Sequence, residues 1–91
     1  MTTARVENAV ELAKTLVKAL VEHPEEVQVA ERVQEGEIRF RLIVHPDDVR
    51  HVIGRRGRTI EAIRTVVAAA AAQPGRRIFL EIGKSDESVD D

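Results

Sequence analysis

The chain has 91 residues, 43% hydrophobic and 33% charged, which suits one small domain with a modest core. Cysteine is absent, which excludes a disulfide framework and a thiolate zinc site, and no apolar run nears the roughly 20 residues of a membrane span. Net charge is −2 and the first residues lack the charged-then-apolar pattern of a signal peptide, so a soluble, cytoplasmic protein is expected.

Val6, Ala9, Val10, Ala13, Leu16, Val17 and Leu20 recur at the i, i+3, i+4, i+7 spacing of one helix face, with Glu7, Glu11, Lys14 and Lys18 opposite. The spacing predicts an amphipathic helix from about Arg5 to Glu22, buried along its apolar stripe. His23-Pro24 ends it, because proline disfavours helical geometry in the residue before it. Val27, Val29 and Val33 then share a parity, and after Glu35-Gly36 the residues Ile38, Phe40, Leu42 and Val44 alternate with Glu37, Arg39, Arg41 and Ile43. Two period-2 segments joined by a short glycine turn predict a β-hairpin. Phe40 falls on the core face of its second strand.

His45-Pro46-Asp47-Asp48 stops that strand, and either aspartate can cap a helix start. One or two helical turns follow, with Val49, Val52 and Ile53 apolar, until Gly54 to Gly57 breaks them. A second helix begins near Arg58 or Thr59, with Ile60, Ile63, Val66, Val67, Ala70 and Ala71 on its inner face. The alanines at 68–72 favour helix and allow close backbone approach. Gln73-Pro74-Gly75 ends it. Arg77 to Ile82 forms a last strand, with Ile78, Leu80 and Ile82 on one face and Arg77, Phe79 and Glu81 on the other. Residues 84–91 are polar and mostly acidic and are expected to form a disordered tail, leaving 1–83 as one domain. His23-Pro24-Glu25-Glu26-Val27 echoes His45-Pro46-Asp47-Asp48-Val49, but the likeness stops there, as shared turn chemistry would have it. The order α-β-β-α-α-β predicts an α+β fold, a three-stranded sheet with three helices packed on one face.

Charge is uneven along the chain. Between His45 and Arg77 seven arginines stand against three acids, a local charge of +4, while the remainder carries −6. A local patch governs binding more than the global sum does, and arginine is the type suited to forked phosphate contacts. In the midst of that patch lies Val52-Ile53-Gly54-Arg55-Arg56-Gly57-Arg58-Thr59-Ile60. Glycine lets the backbone take positive φ and lets a phosphate approach closely. The open N–H groups and dipole at the start of the next helix favour an anion, and Arg55 and Arg56 add charge and directional donors. The plainer reading is a tight helix connection whose arginines face water.

That stretch resembles the signature of the KH domain, a G-x-x-G loop between two helices, and the element order resembles the type II, bacterial form of the fold. The likeness spans Val6 to Ile82, and with the chain's length it is similar to the small stand-alone bacterial KH-domain protein A family. The resemblance implies a single-stranded RNA-binding protein whose G-x-x-G loop clamps the backbone of about four nucleotides. Carried over by position, Gly54, Arg55, Arg56 and Gly57 would contact phosphates, over an apolar floor of Val52, Ile53 and Ile60 backed by Ile38, Phe40 and Leu42. Arg58 and Arg64 would extend the basic track, and Arg39 and Arg41 would read base edges from the strand beside the groove. His51 stands where a small or polar residue is expected. The resemblance further implies RNA-chaperone or post-transcriptional activity, and control of cell length and wall synthesis with a larger Jag-type KH partner.

Rival chemistries find little support. Phe40 and Phe79 are the only aromatic residues among Phe, Tyr and Trp, too few for sheet-borne stacking platforms of the RNA-recognition-motif or OB type. Gly54 and Gly57 are too close for a P-loop, and no Lys-Ser/Thr pair follows them. His23, His45 and His51 lack metal spacing, Asp47 and Asp48 read as caps, and no nucleophile–base set is visible. Neither enzymatic activity nor a metal or cofactor is expected. An alternative of another class is a dimerising protein-interaction subunit built on the small-residue helix Val66 to Ala72, with itself or a second KH protein as partner and RNA binding secondary.

Overall fold

The strictest alternation in the sequence forms the middle of the sheet. In the computed structural model, which describes residues 2–85, the elements are α1 (Thr2–Lys18), β1 (Gln28–Gln34), β2 (Glu37–Val44), α2 (Val49–Ile53), α3 (Arg58–Ala71) and β3 (Arg77–Lys84). In β2, Ile38, Phe40, Leu42 and Val44 are fully buried. Arg39, Arg41 and Ile43 have the opposite parity and face away. β1 pairs antiparallel with β2, Val29 opposite Leu42 and Val33 opposite Ile38. The hairpin turns at Glu35-Gly36, where Gly36 takes φ 86°, a left-handed value that glycine adopts without a Cβ penalty.

β3 lies along the other side of β2 and runs parallel to it, from Glu37↔Arg77 to Val44↔Lys84, giving the order β1-β2-β3. The crossover between these parallel strands is α2 and α3 together. β3 is two residues longer than expected: Lys84 pairs with Val44, and the Ser85 N–H donates to the Val44 carbonyl at 2.7 Å. The acidic tail expected over 84–91 therefore starts later, and from 86 onward it lies outside the described residues.

The helices lie on one face of the sheet, as an α+β fold of two layers requires. Val6, Ala9, Ala13 and Val17 of α1, and Ile60, Ile63, Val67 and Ala71 of α3, form one core with the inner face of β2, Leu80 of β3 and Val52 of α2. Each fully buried Phe, Ile, Leu or Val contributes about 1.5–3 kcal/mol relative to exposure. Three alanines in the facing stripes, Ala9, Ala13 and Ala71, have no accessible surface, so the two helices approach closely. The stripes are narrower than periodicity suggested. Val66 stays 43% exposed on α3, and Leu20, 42% exposed, lies beyond the last residue of α1.

α1 also stops four residues before Glu22. The Leu20 N–H turns to the Val17 carbonyl at 2.9 Å, a tightening of the last turn. The N–H groups of Glu22 and His23 bond instead to the Asp48 carboxylate, at 3.0 and 2.9 Å. Distant chemistry, rather than propensity, sets this helix end.

Candidate nucleic-acid interface

α2 has five residues and closes on the Gly54 N–H, which donates to the Arg50 carbonyl at 2.9 Å. Gly54 then takes φ 76° and ψ 175°, a region essentially reserved for glycine. Arg55–Gly57 makes a single 3-10 turn, with the Gly57 N–H on the Gly54 carbonyl at 3.1 Å. Inside that turn Arg56 is left-handed (φ 57°, ψ 26°), and Gly57 follows at φ 73°, ψ 14°. The two glycines answer different needs. A Cβ on Gly54 would overlap Thr59 Oγ1 and come within 2.6 Å of Thr59 Cβ, whereas one on Gly57 meets nothing within 4 Å. Gly54 is selected by contact as well as conformation, and Gly57 by conformation alone.

The result is a turn rich in unspent donors. Arg55 and Arg56 open the 3-10 turn, so their N–H groups have no partner within it. α3 starts from a glycine N-cap with no side-chain capping bond. Over this backbone Arg55, Arg56 and Arg58 are exposed, and among the described residues none of them makes an ion pair or side-chain hydrogen bond. Open amides, the start of a 14-residue helix and three guanidinium groups without a protein partner thus lie within four consecutive residues, a combination whose partial and full charges favour an anion.

The other expected site residues divide. Ile53 is half-buried beside the loop and offers apolar surface. Val52 is fully buried and Ile60 only 9% exposed, so they brace the loop from within the core and do not form a floor for ligand. Arg64 is held between layers: it pairs with Glu61, and its Nη2 donates to the Leu80 carbonyl at 3.1 Å, fastening α3 to β3. Arg39 and Arg41 do not lie beside the groove. Their strand is the central one, the edge nearest α3 belongs to β3, and their parity turns them to the face opposite the helices. Arg39 instead pairs with Glu37 at 2.6 Å and stacks over the Phe79 ring at 4.4 Å.

Asp48, read from sequence as a cap, is fully buried yet makes no capping bond to α2. Burial pushes its pKa up, but the two N–H donors of Glu22 and His23, with the His23 and His51 side chains nearby, together hold it below the ordinary aspartate value. His45 does the local capping, its Nδ1 accepting the Asp47 N–H at 3.0 Å. The histidines that lacked metal spacing also meet: the His23 and His45 rings stack at 4.0 Å, 24° from parallel, and donor atoms of His23, His45 and Asp47 lie within 4.8 Å of one another. The paired His-Pro-acid-acid segments were the sequence signal. Each forms a 3-10 turn, Pro24–Glu26 and Pro46–Asp48, and the two turns sit face to face.

An α-β-β-α-α-β chain with β2 and β3 parallel, and a glycine-bracketed turn joining α2 to α3, is a type II KH domain. The chain belongs to the KhpA/KhpB family of KH-domain proteins, whose family description, "KhpA/KhpB, KH domain", matches residues 10–82. It is similar to the RNA-binding protein KhpA of Halalkalibacterium halodurans, 48% identical over 73 residues covering 76% of this chain and 96% of the relative. The RNA-binding protein KhpA of Oceanobacillus iheyensis is 44% identical over 71 residues, 78% of this chain and 95% of its own. That of Bacillus subtilis is 42% identical over 67 residues, 74% and 83%. No solved structure matches the chain. Among the described residues, no helix is long and apolar enough to cross a membrane.

Proposed function

We propose that this protein binds single-stranded RNA, holding the sugar-phosphate backbone with the loop Gly54-Arg55-Arg56-Gly57 and the start of α3. The observation that carries the reading is the glycine-capped, otherwise uncapped N-terminus of α3 beneath Arg55, Arg56 and Arg58, none of which has a protein partner among the described residues. The printed names of the relatives support RNA as the ligand. Ile53 supplies apolar surface beside the clamp, and Arg64 stiffens the edge along which the strand leaves.

The test is fluorescence anisotropy with a short single-stranded RNA, comparing wild type with Arg55→Asp/Arg56→Asp. Charge-assisted hydrogen bonds contribute about 1.5–3 kcal/mol each, so losing two lowers affinity by at least about 100-fold. Melting temperature does not fall, because both side chains are exposed and without a protein partner. Unchanged RNA retention by the double variant sinks the reading.

A second reading, a dimerising interaction subunit, is favoured by Val66, 43% exposed on α3 with Ala62 and Ala69 exposed on the same side. Sedimentation showing a monomer at high micromolar concentration counts against it. The readings are compatible, since pairing two weak clamps raises avidity through effective concentration. The wider role we attach to the clamp is RNA-chaperone or post-transcriptional activity with a Jag-type KH partner, acting on cell length and wall synthesis. Cell-length measurement in a strain carrying the loop double variant tests it.

A further inference from the structure

The sheet face turned away from the helices has nothing packed over it among the described residues, and it is rich in arginine. One row across the strands reads Arg32, Arg39, Phe79, and the rows beside it read Gln34, Glu37, Arg77 and Ala30, Arg41, Glu81. Arg32 stands directly opposite Arg39 across the antiparallel ladder, where like charges destabilise a sheet. Glu37 answers Arg39, and Glu81 lies 3.6 Å from Arg41. Arg32 is exposed and, among the described residues, makes no ion pair or hydrogen bond. Four arginines against two glutamates leave this face at +2 on a chain of −2.

The shape matches the charge. The Arg39 guanidinium lies 4.4 Å over the Phe79 ring and that of Arg77 lies 5.4 Å from it, a flat layer of the kind on which nucleobases stack. Two shallow hollows adjoin it. One, about 280 Å³, is bounded by Ala30, Arg32, Arg39 and Arg41 together with Glu31 and Glu81. The other, about 310 Å³, is bounded by Arg39, Phe79, Glu81 and Arg64 of α3, so it runs from the helix layer around the β3 edge to the open face.

We infer that this face is a second contact surface for single-stranded RNA, continuous with the loop clamp. The strand held at Gly54–Gly57 runs between α3 and β3, passes Arg64, and turns round the β3 edge. There a phosphate sits between Arg32 and Arg39, and a base lies on the Arg39–Phe79 layer. This rests on the clamp reading and enlarges its footprint beyond the few nucleotides the loop can hold. The opposed arginines, unfavourable in the free protein, become a paired phosphate receptor.

The test uses the full chain and fluorescein-labelled oligouridines of 4 and 12 nucleotides. At a stacked rise of about 3.4 Å per nucleotide the longer one spans about 40 Å, more than the 36 Å longest dimension of the domain. Arg32→Gln/Arg39→Gln/Arg77→Gln is expected to leave 4-mer affinity within about twofold and to weaken the 12-mer at least about tenfold. It should also flatten the log–log salt dependence for the 12-mer by about 0.7, for the one phosphate held between Arg32 and Arg39. An unchanged 12-mer slope overturns the inference. So does a variant that loses 12-mer binding only because a dimer seen by sedimentation has become a monomer, which would make the face a self-association surface. Should the triple variant melt early, Arg32→Gln alone decides, since its side chain has no partner to lose; the slope then falls by about 0.7. The loop double variant separates the two readings. If it keeps 4-mer binding the clamp fails, whereas a silent sheet variant beside a loop variant that no longer binds removes only the second surface.

Discussion

Replacing Gly54 by alanine tests the account of the loop most directly. Two costs add there. At φ 76°, ψ 175° a residue with a Cβ is strained by about 1–3 kcal/mol. The new Cβ also overlaps Thr59 Oγ1 and sits 2.6 Å from Thr59 Cβ and 3.0 Å from its N, atoms fixed by the first turn of α3. Overpacking of this kind costs about 1–3 kcal/mol. Against both, alanine restricts the unfolded chain and returns about 0.4–1 kcal/mol, so the net loss is about 1–5.5 kcal/mol. Gly57→Ala keeps only the left-handed penalty of about 1–2 kcal/mol, less the same return. Urea unfolding followed by far-ultraviolet circular dichroism measures both, since the chain has neither Trp nor Tyr for a fluorescence signal. Adding Thr59→Ala to Gly54→Ala should recover part of the loss, because Oγ1 goes while Cβ stays. Equal costs at the two glycines would refute the reasoning, for then contact with Thr59 plays no part.

Three further outcomes are expected. Arg56 holds φ 57°, which asparagine tolerates better than arginine, so Arg56→Asn should raise stability by about 0.5–1 kcal/mol in the same urea titration while weakening RNA binding. Asp48 is held below its ordinary pKa in the folded state, so its stabilisation is complete above the unfolded value of about 3.9 and is lost as pH falls through the lower folded value. Asp48→Asn should therefore melt well below wild type at pH 7, and the gap should narrow in melts taken below about pH 4. Arg64→Ala removes the bond to the Leu80 carbonyl and should cost about 1 kcal/mol. Faster hydrogen exchange along β3 would locate that loss at the α3–β3 edge.

What sequence made legible was local and periodic. Ile38, Phe40, Leu42 and Val44 alternate because one face of β2 is buried along its whole length, and they told the strand and its faces correctly. Gly54 and Gly57 were legible because a left-handed backbone leaves few choices of residue. The failures share a cause in pairings between distant residues. Arg39 and Arg41 were assigned to the groove because periodicity does not say which strand is central, and parallel pairing with β3 settles that. Val33, alike in parity to Val29, stays 44% exposed, because an edge strand is only partly roofed by α1. The role of Asp48 depends on residues 26 and 25 positions earlier. Only the doubled His-Pro-acid-acid pattern hinted at that meeting, and it was read as turn chemistry, which is half of what it is.

The bonds from Asp48 to the Glu22-His23 segment that follows α1 have a consequence for how the loop can evolve. Isolated helices shorter than about 12–15 residues are marginal in water, so the five residues of α2 cannot hold their shape alone. They are held by Val52 in the core and by a carboxylate anchored on Glu22 and His23. The ordering of the loop is thus completed during folding; on the clamp proposed above, an incoming strand would meet donors already aimed, which cuts the entropy lost on association. Affinity differences between strands then fall mainly on their rates of departure. Substitutions in the Glu22-His23 segment would then retune those rates by loosening or tightening the anchor, without altering the proposed clamp itself.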